Sequence, residues 1–350
     1  MKVSLRTLAT TRGAALIEKG WRTGALRVPG ALLGRIYERL YLVHASRPLA
    51  LPDGVRAVAV GGPTFGGSYK TPLAIASAIA LSNMGARVVF VGHGHGAKPG
   101  PARIVKVHDD VRTVGDEALL AMQALSPFGI PVVVSEERGT ALALAATLGE
   151  VLVVDGTVHV ASSREGAVFR VLASSSSEPW GSGLVFPLGD LRASPHAFRE
   201  RGDYLGYVAM HDAREAEDDV RGTLDLAAHA SLELPPLLDG TARYASDPPR
   251  IRRIGVLTAI ARPGRFLRAL ATRGIEPVVT LRAPDHRGNA VSAEARLLAE
   301  RHGLDAWLTT SKCALSLGET WLGAPRHTAR LSLTLTPTFS ARLRCLIDGP

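Results

Sequence analysis

From residue 55 onward, short apolar runs alternate with longer helical stretches, and this alternation constrains the fold more than any other feature of the chain. "VRAVAV" (55–60) reads as a strand, "TPLAIASAIALSNMG" (71–85) as a helix closed by Gly85, and "RVVFVG" (87–92) as a second strand. "GDEALLAMQAL" (115–125), "PVVV" (131–134), "RGTALALAATLG" (138–149) and "VLVVDG" (151–156) continue the series as helix, strand, helix and strand. Strands that are apolar at every position, rather than at alternate ones, are buried on both faces. The pattern therefore predicts an α/β fold: a parallel sheet with helices on both faces. A second alternating segment runs from "RIGVLTAI" (253–260) through "DAWLTT" (305–310) to a closing strand, "RLSLTLTP" (330–337). It predicts a second, smaller α/β lobe, with ligands near the carboxyl ends of the strands.

The chain divides by pattern into a basic helical region at 1–50, a first lobe at 51–205, a charged and Pro-rich connection at 206–250, and the smaller lobe at 251–350. In the first of these, Leu33, Ile36, Leu40 and Leu42 recur roughly every three to four positions, with Arg35 and Arg39 between them. That spacing gives an amphipathic basic helix, suited either to a membrane interface or to packing on the protein's own surface. No apolar run reaches membrane-spanning length, and no signal-peptide core is read at the N-terminus.

Composition narrows the function classes. The net charge is +9 and nearly all of the basic residues are arginine, which suits an anionic partner or reflects an Arg-rich composition. No nucleic-acid module signature accompanies the charge, and neither nucleic acid nor a protein partner is expected. Cys313 and Cys345 stand far apart, so neither a disulfide framework nor a zinc site is expected. Aromatics are only 5% of residues, which leaves the core to aliphatic side chains.

Four stretches hold residues able to carry chemistry. "GGPTFGGSYKTP" (61–72) lies between a strand and a helix. Backbone N–H groups of such a loop can cradle phosphates, with Lys70 on the outer phosphates and Thr71 on a magnesium ion. The standard loop pattern requires glycine where Thr64 and Tyr69 stand, so by itself the stretch reads as a phosphate loop or as a plain glycine turn. "VGDEALL" opens a helix with Asp116 and Glu117, which either complement the helix dipole or serve a phosphate site. Asp155 ends a buried strand, followed by His159, and is either a metal-side carboxylate or part of an Asp-Gly turn. "APDHRG" (283–288) offers His286 as a base, a phosphate donor or a loop histidine.

In order, the series "GGSYKTP", "GHGHGAKP", "VGDEALL", "PVVVSEER", "VVDGTVH", "GSGLVFPLGDLR", "LTAIARPGRF", "DH" and "LTTSK" resembles the tetraacyldisaccharide 4'-kinase family of lipid A biosynthesis, from about residue 20 to the end. The resemblance implies a P-loop kinase lobe at 51–205. It also implies ATP and Mg²⁺ as cofactors, and a peripheral place on the cytoplasmic face of the bacterial inner membrane. The reaction would transfer the γ-phosphate of ATP to the 4'-hydroxyl of an acylated disaccharide 1-phosphate. Residue by residue it places ATP against Thr64, Phe65, Gly66, Gly67, Ser68, Tyr69, Lys70 and Thr71. Asp116 becomes the base, with Lys70 and His286 beside the reaction. Thr71 and Asp155 lie on the metal, and His159, Glu117 and His93 around the substrate. The family's loop has glycine where this chain has Tyr69, and its D-D-G-x-Q-H motif has Asp and Gln where Val154 and Val158 stand. A tyrosine forced to positive φ there costs on the order of 1 kcal/mol. The alternative implied by these departures is a relative that binds nucleotide or acylated lipid without efficient turnover.

Overall fold

The computed structural model describes residues 27–45, 47–92, 94, 96–200, 204–210, 225–236, 252–283, 291–318 and 320–349. Helix α1 (Arg27–Ala45) leads through β1 (Leu49–Ala50) into β2 (Arg56–Gly61), α2 (Lys70–Asn83), β3 (Val88–Val91) and β4 (Arg103–Ile104). The short helix α3 (Val111–Val114) and α4 (Asp116–Leu125) precede β5 (Val132–Val134), α5 (Arg138–Leu148), β6 (Val151–Asp155), β7 (Val160–Ala161) and β8 (Val168–Ser175). Next come α6 (Pro195–Glu200), β9 (Tyr204–Met210) and β10 (Asp225–Glu233). The second lobe holds β11 (Ile254–Thr258), α7 (Pro263–Ala271), β12 (Val279–Arg282), α8 (Ser292–His302), β13 (Ala306–Thr310) and α9 (Ser311–Leu317). The chain closes with β14 (Arg326–Leu335) and α10 (Pro337–Asp348). The apolar-run pattern does not single out β9 and β10: β9 is apolar but only partly buried, β10 carries Asp225, His229, Ser231 and Glu233, and both flank a highly charged stretch of sequence.

Among the described residues one twelve-stranded sheet runs in the order β12-β11-β13-β14-β10-β9-β8-β2-β6-β3-β5-β4. All neighbours are parallel except β4 on β5 and β14 on β10. The α/β architecture read from the sequence is thus the one observed, with the smaller lobe continuing the same sheet. The continuity comes from β14. Its first residues, Arg326–Ala329, pair in parallel with β13, and Arg330–Leu335 pair antiparallel with β10.

Strand burial explains the apolar runs. Val58 and Val60 of β2 face one layer with Leu73, Leu81, Leu119 and Phe339, whereas Ala57 and Ala59 face the other with Leu142 and Ala145 of α5. Each strand therefore needs apolar side chains on both sides. Helix α10 packs Phe339, Leu343 and Leu346 into the first of these layers, so the chain's last helix completes the first lobe's core. Strand β2 lies between β6 and β8; the connection leaving β2 runs past β6 to β3, whereas the connection leaving β6 runs the other way, past β2 to β8. The loop after β2 thus occupies a switch point of the sheet, where open α/β folds form their ligand crevices.

Helix α1 packs on the first lobe through Tyr41 and Leu42, which meet Phe198, while Glu38 accepts a 2.6 Å hydrogen bond from the Ser194 N–H. Its apolar row looks outward: Val28, Leu32, Leu33, Ile36, Leu40 and Val43 are all exposed, flanked by exposed Arg35 and Arg39. Leu42, expected in that row, is half-buried instead. Among the described residues no helix is long and apolar enough to cross a membrane.

Candidate active site

The register Val60↔Asp155 sets the carboxyl ends of β2 and β6 side by side, and the Gly156 N–H donates to the Val60 carbonyl at 2.8 Å. Asp155 therefore lies beside the loop that leaves β2. That loop, Gly62–Tyr69, turns tightly back on itself. A Cβ on Gly62 would sit 2.2 Å from Ser68 Oγ and 3.1 Å from Lys70 Cδ, so only glycine fits. Within it Thr64 is buried and its hydroxyl donates to the Gly66 carbonyl at 2.9 Å. Ser68 is also buried, and Phe65 projects outward at the tip.

Tyr69 is the single non-glycine residue with positive φ among the described residues, at φ 61° and ψ 19°. The left-handed conformation that favours glycine is thus kept with a tyrosine in it, at a cost of about 1 kcal/mol. Its ring does not float free. It packs at the margin of the first lobe's core, with the Arg265 guanidinium 5.7 Å from its centroid.

Lys70 and Thr71 begin α2. Lys70 Nζ reaches Ser68 Oγ at 3.5 Å. Burial, assisted by Arg192 and Lys312, pulls its pKa below the ordinary lysine value, while Glu117 and Asp155 oppose the shift. The Thr71 hydroxyl donates to Asp155 Oδ2 at 2.7 Å. Asp155 Oδ1 is buried and has no hydrogen-bond partner among the described residues. Burial, and then the Glu117 charge, push the Asp155 pKa up to about 6. The Asp155 carbonyl accepts from Arg138 Nη1 at 2.9 Å.

Asp116 and Glu117 open α4, behind Gly115 at φ 89°. This places both carboxylates in the first turn, where the helix dipole favours negative charge. Lys312, from α9 of the second lobe, reaches Glu117 Oε1 at 3.1 Å and Asp116 Oδ2 at 3.9 Å. Burial would raise the Glu117 pKa, but Lys312 and Lys70 outweigh it and hold it below the ordinary value. Lys70, Thr71, Asp116, Glu117 and Asp155 thus form one charged cluster.

The other expected site residues lie apart from it or outside the description. The His159 ring meets Tyr41 of α1, with Nε2 3.3 Å from the tyrosine oxygen. His93 and His286 lie outside the described residues. Val154 is fully buried against α5 on the opposite face of the sheet from the layer holding Val153, and Val158 packs with Leu172, Ala193 and Phe198. The two valines at departing positions are therefore accommodated as core.

Several residues around the loop carried no individual signal in the sequence, although the motifs containing them did. Arg192 donates through Nε to the Thr64 carbonyl at 3.3 Å and lies 5.0 Å from the Phe65 ring centroid. From the start of α7, Arg262 forms ion pairs with Glu178 and Asp190. Arg265 pairs with Glu178 at 2.9 Å and donates to the Gly67 carbonyl. A Cβ on Gly66 would come within 2.5 Å of the Ala261 Cβ. The second lobe thus rests directly on the glycine loop. These arginines are separated from their partners by 72 to 198 residues, so no local spacing announces them.

Chemically, the cluster combines cations able to face phosphate oxygens with a helix start that carries an acidic pair. The Thr71 hydroxyl and the unpartnered Asp155 Oδ1 are oxygen donors of the kind Mg²⁺ takes together with phosphate and water. Among the described residues no three His, Cys, Asp or Glu side chains converge as a cage, so a cation here would draw most of its ligands from those two sources.

A family model described as tetraacyldisaccharide-1-P 4'-kinase matches residues 31–347. The tetraacyldisaccharide 4'-kinase of Anaeromyxobacter dehalogenans strain 2CP-C is 32% identical over 310 residues, covering 83% of this chain and 78% of the relative. That of Methylobacterium nodulans is 30% identical over 330 residues, covering 91% and 92%. Among solved structures, LpxK from Aquifex aeolicus in complex with ATP superposes with a TM-score of 0.62 at 18% identity, covering 92% of this chain and 99% of that one. At this identity the likeness speaks for the fold.

Proposed function

Because the chain belongs to the tetraacyldisaccharide-1-P 4'-kinase family, we infer that it is an ATP-dependent lipid kinase phosphorylating the 4'-hydroxyl of a tetraacyldisaccharide 1-phosphate. The observation that carries this reading is the single cluster formed by Lys70, Thr71 and Asp155 at the glycine loop with Asp116 at the start of α4. In this reading Gly62–Tyr69 is a P-loop whose backbone N–H groups receive the ATP phosphates, and Lys70 neutralises their outer oxygens. Thr71 and Asp155 would hold Mg²⁺, which supplies charge neutralisation on the phosphates when bound. Asp116 accepts the proton of the 4'-hydroxyl as its oxygen bonds to the γ-phosphorus. The bond from that phosphorus to the bridging oxygen breaks, and ADP carries the electron pair away. Such transfer rests on positioning and electrostatics more than on covalent chemistry.

The substrate's acyl chains fit the outward row of α1. The Tyr37 ring of that helix meets Phe65 at a tilt (6.1 Å between centroids) and Phe186 edge-on (5.3 Å), and both phenylalanines are exposed. An apolar strip flanked by Arg35 and Arg39 therefore runs from α1 to the glycine loop. This supports peripheral binding at the inner face of the inner membrane, with the sugar delivered to the loop. In the same reading residues 1–50 are the membrane-facing region, 51–205 the kinase lobe, and 251–350 the lobe that covers it across the 206–250 connection. His286 would act beside the reaction and His93 around the substrate, with His159 on the side facing α1.

The test is phosphorylation of a tetraacyldisaccharide 1-phosphate by the purified full chain with ATP and Mg²⁺. Lys70→Ala and Asp116→Ala are expected to lower kcat/KM by about 100-fold or more. Equal rates in all three proteins would refute the assignment.

A further inference from the structure

Lys312 ends the "LTTSK" motif, which entered the family resemblance without a role for its lysine. It stands on the first turn of α9, in the second lobe, yet its ammonium lies among first-lobe groups. The distances are 3.1 Å to Glu117 Oε1 and 3.9 Å to Asp116 Oδ2, with only a fifth of the lysine side chain exposed. Its stem is set firmly. The Thr310 side chain caps α9 by accepting from the Cys313 N–H. The buried Cys313 sulfur in turn accepts from the Ala259 N–H at 3.0 Å and from the Thr310 hydroxyl at 3.0 Å. The lysine is therefore placed by the second lobe's own framework, not by a flexible arm.

What it meets is a crowded set of acids. Asp116 is almost fully buried, Glu117 is its neighbour, and the Glu117 charge also acts on Asp155. Like charges in a poorly hydrated pocket drive one another to take up a proton or swing away. A fixed cation beside the pair offsets this, and Lys312 is the cation within ion-pair distance of both carboxylates among the described residues, whereas Lys70 faces the phosphate side of the kinase reading.

We propose that Lys312 is a positioning residue for phosphoryl transfer, holding Asp116 and Glu117 in their working arrangement from across the lobe boundary. Resting on the kinase reading, this makes the base competent only while the second lobe is docked on the first. Removing the cation strands the Glu117 charge beside Asp116. Removing Glu117 as well relieves the conflict.

The experiment compares the full chain with K312M, K312R, E117Q and K312M/E117Q, measuring kcat and KM for ATP together with thermal melting. K312M is expected to lower kcat about 10- to 100-fold while KM for ATP stays within about twofold. K312R returns kcat to within about fivefold of the parent, and K312M/E117Q is faster than K312M by about fivefold or more. A purely structural tie predicts otherwise: melting falls, and neither arginine nor the second substitution restores turnover. K312M at the parent's kcat, or a loss that neither change relieves, overturns the proposal while leaving the kinase reading intact. If K312M fails to fold, K312R must keep kcat within about fivefold of the parent and K312M/E117Q must turn over within about fivefold of E117Q; a larger loss in either overturns the proposal. A parent with no phosphorylation overturns both together.

Discussion

Tyr69 shows how far one side chain can be read before the fold is known. The series of motifs located it at a glycine position, and the expectation of positive φ follows from the loop's family pattern. Where its ring goes depends on Arg265, which lies 196 positions away in sequence, and on a core margin that no local pattern encodes. The structure separates two effects of replacing it. Tyr69→Gly relieves the backbone but loses the ring's packing, whereas Tyr69→Ala loses the packing and keeps the strained φ. The alanine variant is therefore expected to be less stable than the glycine variant by about 1 kcal/mol, read from urea denaturation. The reverse order would show that the left-handed conformation is absent in solution. Asp155 gives a second residue-scale expectation. Its pKa of about 6 lies above the ordinary 3.8, so the folded state holds the proton more tightly than the unfolded chain. The resulting penalty is absent below the unfolded value, grows as pH rises through that interval, and is complete above about 6. Asp155→Asn removes it. Without nucleotide or divalent metal, the stability gained by this variant should be larger at pH 8 than at pH 4.5, by about 2 kcal/mol. A gain that does not change between those pH values would contradict the buried, hydrogen-bonded setting of the carboxylate.

At the scale of elements, β2, β3, β5 and β6 were legible because each is buried on both faces and so carries no polar alternation, whereas β8, with Arg170 in its half-buried first half, was not. Helix α1 was legible as amphipathic, but periodicity alone does not say which way an apolar stripe faces. The structure resolves this through Glu38 and Tyr41, which anchor the other side to Ser194 and Phe198. The outward row then becomes testable without disturbing the fold. Replacing Leu32, Ile36 and Leu40 together by Glu is expected to change folding stability by no more than about 0.5 kcal/mol per site. The same variant should lose most of its sedimentation with anionic vesicles, since each removed side chain contributes about 1.5–3 kcal/mol when buried. Undiminished vesicle binding would remove the helix from the lipid-facing reading. Strands β9 and β10 were not legible, because β10 is half-polar and paired by β14, and Tyr204 of β9 is covered by Phe339 of α10, both from the far end of the chain.

The molecule as a whole is stitched rather than hinged at one point. Strand β14 belongs to both halves of the sheet, and α10 returns to fill the first lobe's core. The site inherits this arrangement: Arg262, Arg265 and Lys312 all reach first-lobe groups from the second lobe. None of this was legible locally, since every such contact joins residues separated by scores of positions, and composition says nothing of which pairs meet. The expectation at this scale is a single cooperative unfolding transition. Phe339→Ala, at a fully buried position in the first lobe's core, should destabilise that one transition by about 3–5 kcal/mol. Two resolved calorimetric transitions, with only one sensitive to this change, would show the halves to be independent.

The split pairing of β14 also bears on how the protein is made. While the ribosome is still synthesising residues before 330, β10 has no antiparallel neighbour and presents an open edge. The layer that α10 will later cover is bare over the same interval. An unpaired edge above an uncovered apolar face is the arrangement most prone to pairing with another nascent chain. Completion of the sheet therefore waits on the synthesis of β14 and α10, and chains stalled or clipped before residue 330 are expected to be substrates for chaperones and proteases rather than partly active enzymes.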